Sequence, residues 1–371
     1  VKKESAKVTY VEISAATFST SLANALASGA GPDLVIISQE MLLSERGKLN
    51  VIPFSSIPQR TYLDSYLPLF ELYLTSTGTY GIPFLTDPLV LYYNRAILSS
   101  VGVASPPVSW EAVTGLAPAI TKRTDAGAVT RSLIALGEYH NVRNARAVLS
   151  LLLLQSGTPI TTSTEQGIRS TLADEAQHFG ATPAQSAVNF YAQFADPAKI
   201  TYSWNRSLPE SRASFTAGDL ALYPGFASER ALIAQTNPNL DFDMAPMPVP
   251  GTLQNRLTYG LAYAFAVPKA SGNAAGAYAT ALALSEPSIA LGVARALGVA
   301  PAYRASLVPS SDDKYASVFY PEALVSRGWL SPAPLATDGI FSAMIGDITS
   351  GRRNVEQAVA AASAALTSAS Q

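Results

Sequence analysis

No cysteine occurs among the 371 residues. That excludes disulfides, thiolate catalysis and cysteine-based metal sites together, without fixing a compartment. Histidine is nearly as scarce: His140 and His178 stand far apart, which argues against a histidine metal cluster. Charged residues make up 14% of the chain, against roughly 25% in average soluble proteins. The net charge is −2 with both signs scattered, so neither a basic run for nucleic acid nor an acidic tail for a cationic partner is present. No apolar run approaches the roughly 20 residues that span a bilayer. The most aliphatic stretch, Ala147–Leu154, reads as part of a buried helix. There is no G-x-S-x-G, HExxH, P-loop or G-x-G-x-x-G, so no catalytic residue and no cofactor are assigned. A glycosidase-type carboxylate pair stays open, because 27 acidic residues offer many pairs and none stands out.

What is present is apolar content, 48% of the chain, enough for a large core. The length favours two domains or lobes over one core. The most informative stretch is Tyr80–Arg95, YGIPFLTDPLVLYYNR. It reads as one extended, well-buried strand carrying a lone carboxylate, Asp87, which Pro88 biases toward extended backbone. A carboxylate there is costly unless protein or ligand satisfies it.

Along the chain, Val8–Ile13 reads as a strand, Thr17–Ser28 as a helix and Asp33–Ile37 as a parallel strand, together a βαβ unit. Helical character is expected through Met41–Leu49, Leu63–Tyr73, Ala96–Val101 and most of 143–192. Ser109 is a candidate cap for a helix opening on Trp110 and Glu111. A helix at Leu208–Phe215 is closed by Gly218, and a short strand follows at Leu220–Tyr223. Asp241–Met247 and Leu257–Val267 read as strands; Ala274–Leu284 and Ser288–Leu297 as helices; a helix pair ends the chain, turning at Gly351-Arg352. The class is α/β. No 20–50-residue repeat and no Gly/Ser linker is visible.

These landmarks resemble the extracellular solute-binding proteins of ABC importers, in the branch similar to maltose-binding protein. The resemblance is carried by LANALASGAGPDLVIIS (22–38), YGIPFLTDPLVLYYNRAIL (80–98) with PPVSWEAV (106–113), SRASFTAGDLALYPGF (211–226), APMPVPG with TYGLAYAFAVPKAS (245–271), and the closing SGRRNVEQAV (350–359). It implies two α/β lobes closing on a ligand by hinge motion. One would hold 1–85 and 262–302, the other 90–258 and 304–371, with crossings at Thr86–Leu89, Tyr259–Leu261 and Pro301–Tyr303. The family usually has a further strand and helix ahead of the one at Val8, so these are expected to be missing here, and an upstream signal or lipid-anchor segment to have been removed.

The resemblance also implies the site. Asp87 would accept hydrogen bonds from sugar hydroxyls, and Phe226 would stack on the ligand's flat face. Gln39 and Glu40 would reach the cleft from the first lobe. Tyr259, Gly260 and Tyr263 lie at the second crossing, where Gly260 would permit close backbone approach or hinge torsions. His140 and Asn144, near a helix start, could hold hydroxyls, and Trp204 sits in a loop-like YSWNRS stretch. Trp110 and Trp329 read as packing. The expected function is capture of a small polar solute, a sugar or oligosaccharide, and delivery to an ABC permease outside the cytoplasm, with no metal and no nucleic acid. The alternatives are an envelope enzyme acting on polysaccharide and a ligand sensor without transport.

Overall fold

The computed structural model describes residues 7–165, 167–174, 180–309, 311 and 313–370; His178 lies outside them. The strands that organise the chain are β1 (Val35–Ser38), β2 (Ile82–Asn94), β3 (Val129–Ile134), β4 (Leu220–Phe226), β5 (Phe242–Ala245), β6 (Thr258–Ala266), β7 (Ala300–Pro301) and β8 (Ser326–Arg327). Among the described residues they join in one sheet of order β1-β6-β2-β4-β3, with the short strand Lys122–Arg123 at its edge. β5 and β7 also pair with β2, and β8 pairs with β6.

β2 is the axis of this arrangement. It is 13 residues long and buried throughout except for half-buried Tyr93. Residues 82–88 pair with β6, in a register that sets Leu261 against Asp87 and Gly260 against Pro88. From Leu89 onward the partners are β4, with Leu89 opposite Phe226, and β5, with Asn94 opposite Phe242. Pro88 therefore sits where the strand leaves one set of partners for the other, and Pro83 pairs with Ala264 beside a register shift at Tyr263/Ala264. A proline inside a sheet needs such a place, since it has no N–H for the ladder. Beyond Pro88, the period-2 pleat splits the side chains between two cores. Leu89 and Leu91 enter one with Leu133, Ile134 and Leu149; Val90 and Tyr92 enter the other with Ile37, Phe215 and Tyr223.

Five helices matter for the site: α1 (Gln39–Glu45), α2 (Ala145–Gln155), α3 (Ser211–Ala217), α4 (Glu229–Thr236) and α5 (Pro334–Thr349). α2 contains the leucine run and is buried as expected. α3 ends at Gly218 in the left-handed region, φ 89°, which glycine enters without a Cβ clash. The helix Trp110–Gly115 is capped by the Ser109 side chain, which accepts from Ala112 N at 3.2 Å. Trp110 and Trp329 are both 3% exposed, packing residues as read from sequence.

Two expectations fail. Val8–Ile13 is not a strand: Tyr10 and Val11 are 76% and 68% exposed, and the described partner of β1 is β6, antiparallel. Alternation describes where side chains point, but a strand forms only where a partner completes its ladder. The stretch 143–192 is not mostly helical either. Between α2 and the helix Pro183–Ala192 lies a hairpin pairing Thr161–Thr164 with Gly167–Ser170, β-branched residues at odds with a helix. No single helix among the described residues is long and apolar enough to cross a membrane.

Gly260 shows why this point on β6 needs its residue. A Cβ there would lie 2.7 Å from Ser326 Oγ and 3.3 Å from Leu69 Cδ2, so the requirement is space. Gly260→Ala is expected to lower stability by about 1–3 kcal/mol, with part of the loss recovered by adding Ser326→Ala. Urea unfolding of both variants checks this.

Candidate functional site

Most of the residues singled out from sequence, though not Trp204 or His140, lie along the seam between the β1–β6 half of the sheet and the β4 half. α1 begins directly after β1, so Gln39 and Glu40 are set against β6. Gln39 is fully buried. Its amide donates to Gly260 O at 3.0 Å and accepts from Ala262 N at 2.7 Å, plugging the backbone of β6. Glu40 faces inward along the seam. Its Oε1 accepts from the Tyr259 hydroxyl at 2.6 Å, and its Oε2 accepts from Arg146 Nη2, also at 2.6 Å. Arg146, on α2, donates through Nη1 to Asp338 Oδ2 and Pro334 O, each at 2.9 Å. The Tyr139 hydroxyl donates to the other Asp338 oxygen at 2.5 Å. Burial alone would lower the Arg146 pKa; Glu40, Tyr259, Asp338 and Tyr139 outweigh it and raise the value. Tyr259 is fully buried, and burial first, then the nearby Glu40 carboxylate, hold its phenol protonated.

The second polar group is built on the end of β4 and the start of α4. Asp87 accepts from Ser228 N at 3.2 Å, so its carboxylate faces the positive end of that helix. Glu229 accepts from Phe226 N at 3.0 Å, Asn144 Nδ2 at 2.7 Å, the Tyr223 hydroxyl at 2.6 Å and Arg212 at 3.4 Å. Glu229 thus has a cation and three other donors. No salt bridge engages Asp87 among the described residues. Desolvation pushes its pKa up to about 7, the Ser228 hydrogen bonds oppose that, and Glu229 adds to it.

Tyr263 connects the two groups. It is half-buried, and its pKa is raised by burial first, then by the charges of Asp87 and Glu40. Its hydroxyl, within the field of both carboxylates, makes no hydrogen bond to any described residue. Together the seam offers carboxylate and amide acceptors, a free phenol and the half-buried ring of Phe226. That set suits a neutral ligand rich in hydroxyls. Among the described residues no cluster of His, Asp or Glu could hold a metal ion.

With this geometry in place, residues 2–286 match the family model of the bacterial extracellular solute-binding proteins. The chain belongs to that family. It is a binding protein, not an enzyme, and its place is outside the cytoplasm. The fold is correspondingly the family's two-lobe α/β fold, and solved structures are similar over nearly the whole chain. One is the cyclic α-maltosyl-1,6-maltose binding protein from Arthrobacter globiformis, 15% identical with a TM-score of 0.77 over 96% of this chain and 89% of that one. Another is the GacH receptor of Streptomyces glaucescens, determined unliganded and with acarbose, 18% identical with a TM-score of 0.73 over 98% and 90%. A third is an ABC transporter solute binding protein from Thermotoga lettingae bound with α-D-tagatose, 18% identical with a TM-score of 0.71 over 96% and 90%. At such identities the likeness is one of fold. None of the curated proteins compared with the chain matches it.

In this solute-binding protein the ten candidates divide. Asp87, Glu40, Tyr263, Phe226 and Asn144 meet at the seam. Gln39, Tyr259 and Gly260 stand behind them, sealed in protein, and position Glu40 and β6. His140 is exposed at the margin, its Nε2 3.3 Å from Ser342 Oγ. Trp204 is a correction. It is 0% exposed and donates from Nε1 to Asn141 Oδ1 at 3.1 Å, so the loop-like sequence around it hides a core anchor rather than a stacking platform. Arg146, Ser228, Glu229 and Asp338 were missed. Arg146 carried a signal, being the one charged residue in the apolar helix ARAVLSLLLLQ. The others carried none, because partners in space are distant in sequence.

Two outcomes are expected. Trp204→Ala, by emptying a core site, should lower stability by about 3–5 kcal/mol without a comparable change in solute affinity at permissive temperature. For Asp87 the folded pKa lies above the unfolded one, so protonated Asp87 favours the fold at low pH. That contribution is lost as pH rises from about 4 to about 7. Asp87→Asn should therefore match the parent near pH 4 and exceed it by about 1–4 kcal/mol at pH 8. Denaturant titrations at the two pH values check the sign.

Proposed function

We propose that this protein captures a sugar or short oligosaccharide in the seam between its lobes and delivers it to the membrane permease of an ABC transporter. The observation that carries the reading is the Tyr263 hydroxyl, without a hydrogen-bond partner among the described residues and near enough to Asp87 and Glu40 for both carboxylates to raise its pKa. Carboxylates accept only, so they select ligands that donate, and charge-assisted bonds of this kind contribute about 1.5–3 kcal/mol each. Phe226 supplies an aromatic face for the apolar side of a sugar ring. The ligands bound in the similar structures, acarbose and α-D-tagatose, are of the same chemistry. The reading includes a periplasmic or cell-surface location, with a lipid anchor as one means of retention.

The proposed lobes are 1–85 with 262–302 and 90–258 with 304–371, crossing at 86–89, 259–261 and 301–303. The change of β2 partners at Pro88 and Leu89 supports this division. A cavity of about 730 Å³ lined by Trp110, Leu152, Phe190 and Ile200 lies elsewhere and includes none of the ten candidates; it is not the proposed site.

Calorimetry against a panel of mono- and oligosaccharides tests the reading. A Kd near 1 µM corresponds to about −8 kcal/mol. Phe226→Ala should weaken the best sugar at least about tenfold, and Tyr263→Phe by about 0.5–1.5 kcal/mol, both with native circular dichroism. No heat from any sugar, or unchanged affinity in both variants, would overturn it.

A further inference from the structure

We infer that Arg146 is a positioning residue that ties the two lobes together through Glu40, so that the protein's own charges hold part of the closed arrangement and fix the Glu40 carboxylate in the solute site. The inference rests on the proposed lobe division and site. Glu40 belongs to α1, packed on β1 and β6 of the first lobe. Arg146 belongs to α2, whose leucines build the core of the second lobe with Leu133 and Ile134. The two residues are 106 apart in sequence yet 2.6 Å apart in space.

The geometry is that of a clamp rather than a chance surface pair. The side chains of Arg146 and Glu40 are 20% and 8% exposed, so salt and water screen the pair less than an exposed one. The guanidinium is held from the second lobe by Asp338 and Pro334 O through Nη1, leaving Nη2 for Glu40. Asp338 is itself held by Tyr139, and Glu40 by Tyr259. The guanidinium is thus fixed within its own lobe before it meets Glu40, and Tyr259, at the proposed crossing and packed with the second-lobe core, holds the other carboxylate oxygen. The rigid planar fork of arginine suits this double engagement; a lysine would offer one point charge on a flexible stem.

A contact made only when the lobes are together biases their equilibrium by its own free energy. It also takes one oxygen of Glu40 while Tyr259 takes the other. A solute hydroxyl reaching Glu40 therefore adds a second donor to an oxygen already engaged or displaces Arg146. Either way Arg146 governs how Glu40 meets the solute.

The test needs no ligand. Protein freed of solute by unfolding and refolding is measured by small-angle X-ray scattering. A compact chain of this length has a radius of gyration of about 21 Å. Glu40→Gln and Arg146→Met are each expected to increase the radius, by the same amount, with no further increase in the double variant. Asp338→Asn, whose partner lies in its own lobe, should not increase it. Near-ultraviolet circular dichroism confirms the fold, and the nearly isosteric Glu40→Gln carries the test alone if Arg146→Met does not fold. An unchanged radius in folded Glu40→Gln, or an additive expansion in the double variant, would overturn the inference. Failure of the sugar titrations would leave this measurement standing, since no solute is present in it.

Discussion

Everything in this fold hangs on one strand that serves two sets of partners. Ile82–Asn94 is buried nearly end to end and changes partners at Pro88 and Leu89. A strand so committed cannot slip, because a one-residue shift would turn Leu89 and Leu91 out of one core and Val90 and Tyr92 out of the other. At Pro88 the ladder changes sides: the residue pairs with Gly260, and its carbonyl accepts from Ala227 N at 3.0 Å. Asp87 immediately precedes it, which is why a carboxylate sits in an otherwise apolar run.

The seam beside that strand balances its charges unevenly. Glu40 has Arg146, and Glu229 has Arg212 together with three neutral donors. Asp87 has the start of a helix and no cation among the described residues, and burial raises its pKa. A buried carboxylate so placed costs stability that the surrounding packing must offset. In a site that receives hydroxyl donors, the same residue becomes an acceptor waiting for partners.

The fold was largely legible because its signals are local: the aliphatic strand with two prolines, the Ser109 cap, the Gly218 stop and the alanine-rich helices. Where a strand's existence depended on a partner elsewhere, as at Val8–Ile13, pattern alone misled. The site was legible only in outline. Asp87, Glu40, Phe226 and Tyr263 were named from the family resemblance, with strand ends in open α/β folds agreeing, and they stand as the proposed solute site. Trp204 could not be told from a stacking residue, since only the Asn141 contact reveals it as core. The Glu40–Arg146–Asp338 chain joins three segments distant in sequence, which no single-segment pattern links.

The central claim is that solute is held between the lobes, in contact with both. Hydrogen–deuterium exchange with and without the tightest-binding sugar tests it most directly. The account predicts new protection on both walls of the seam, at 39–41 and 262–264 and at 226–229. Protection confined to 110–118 and 186–201, around the cavity lined by Trp110 and Phe190, would contradict it.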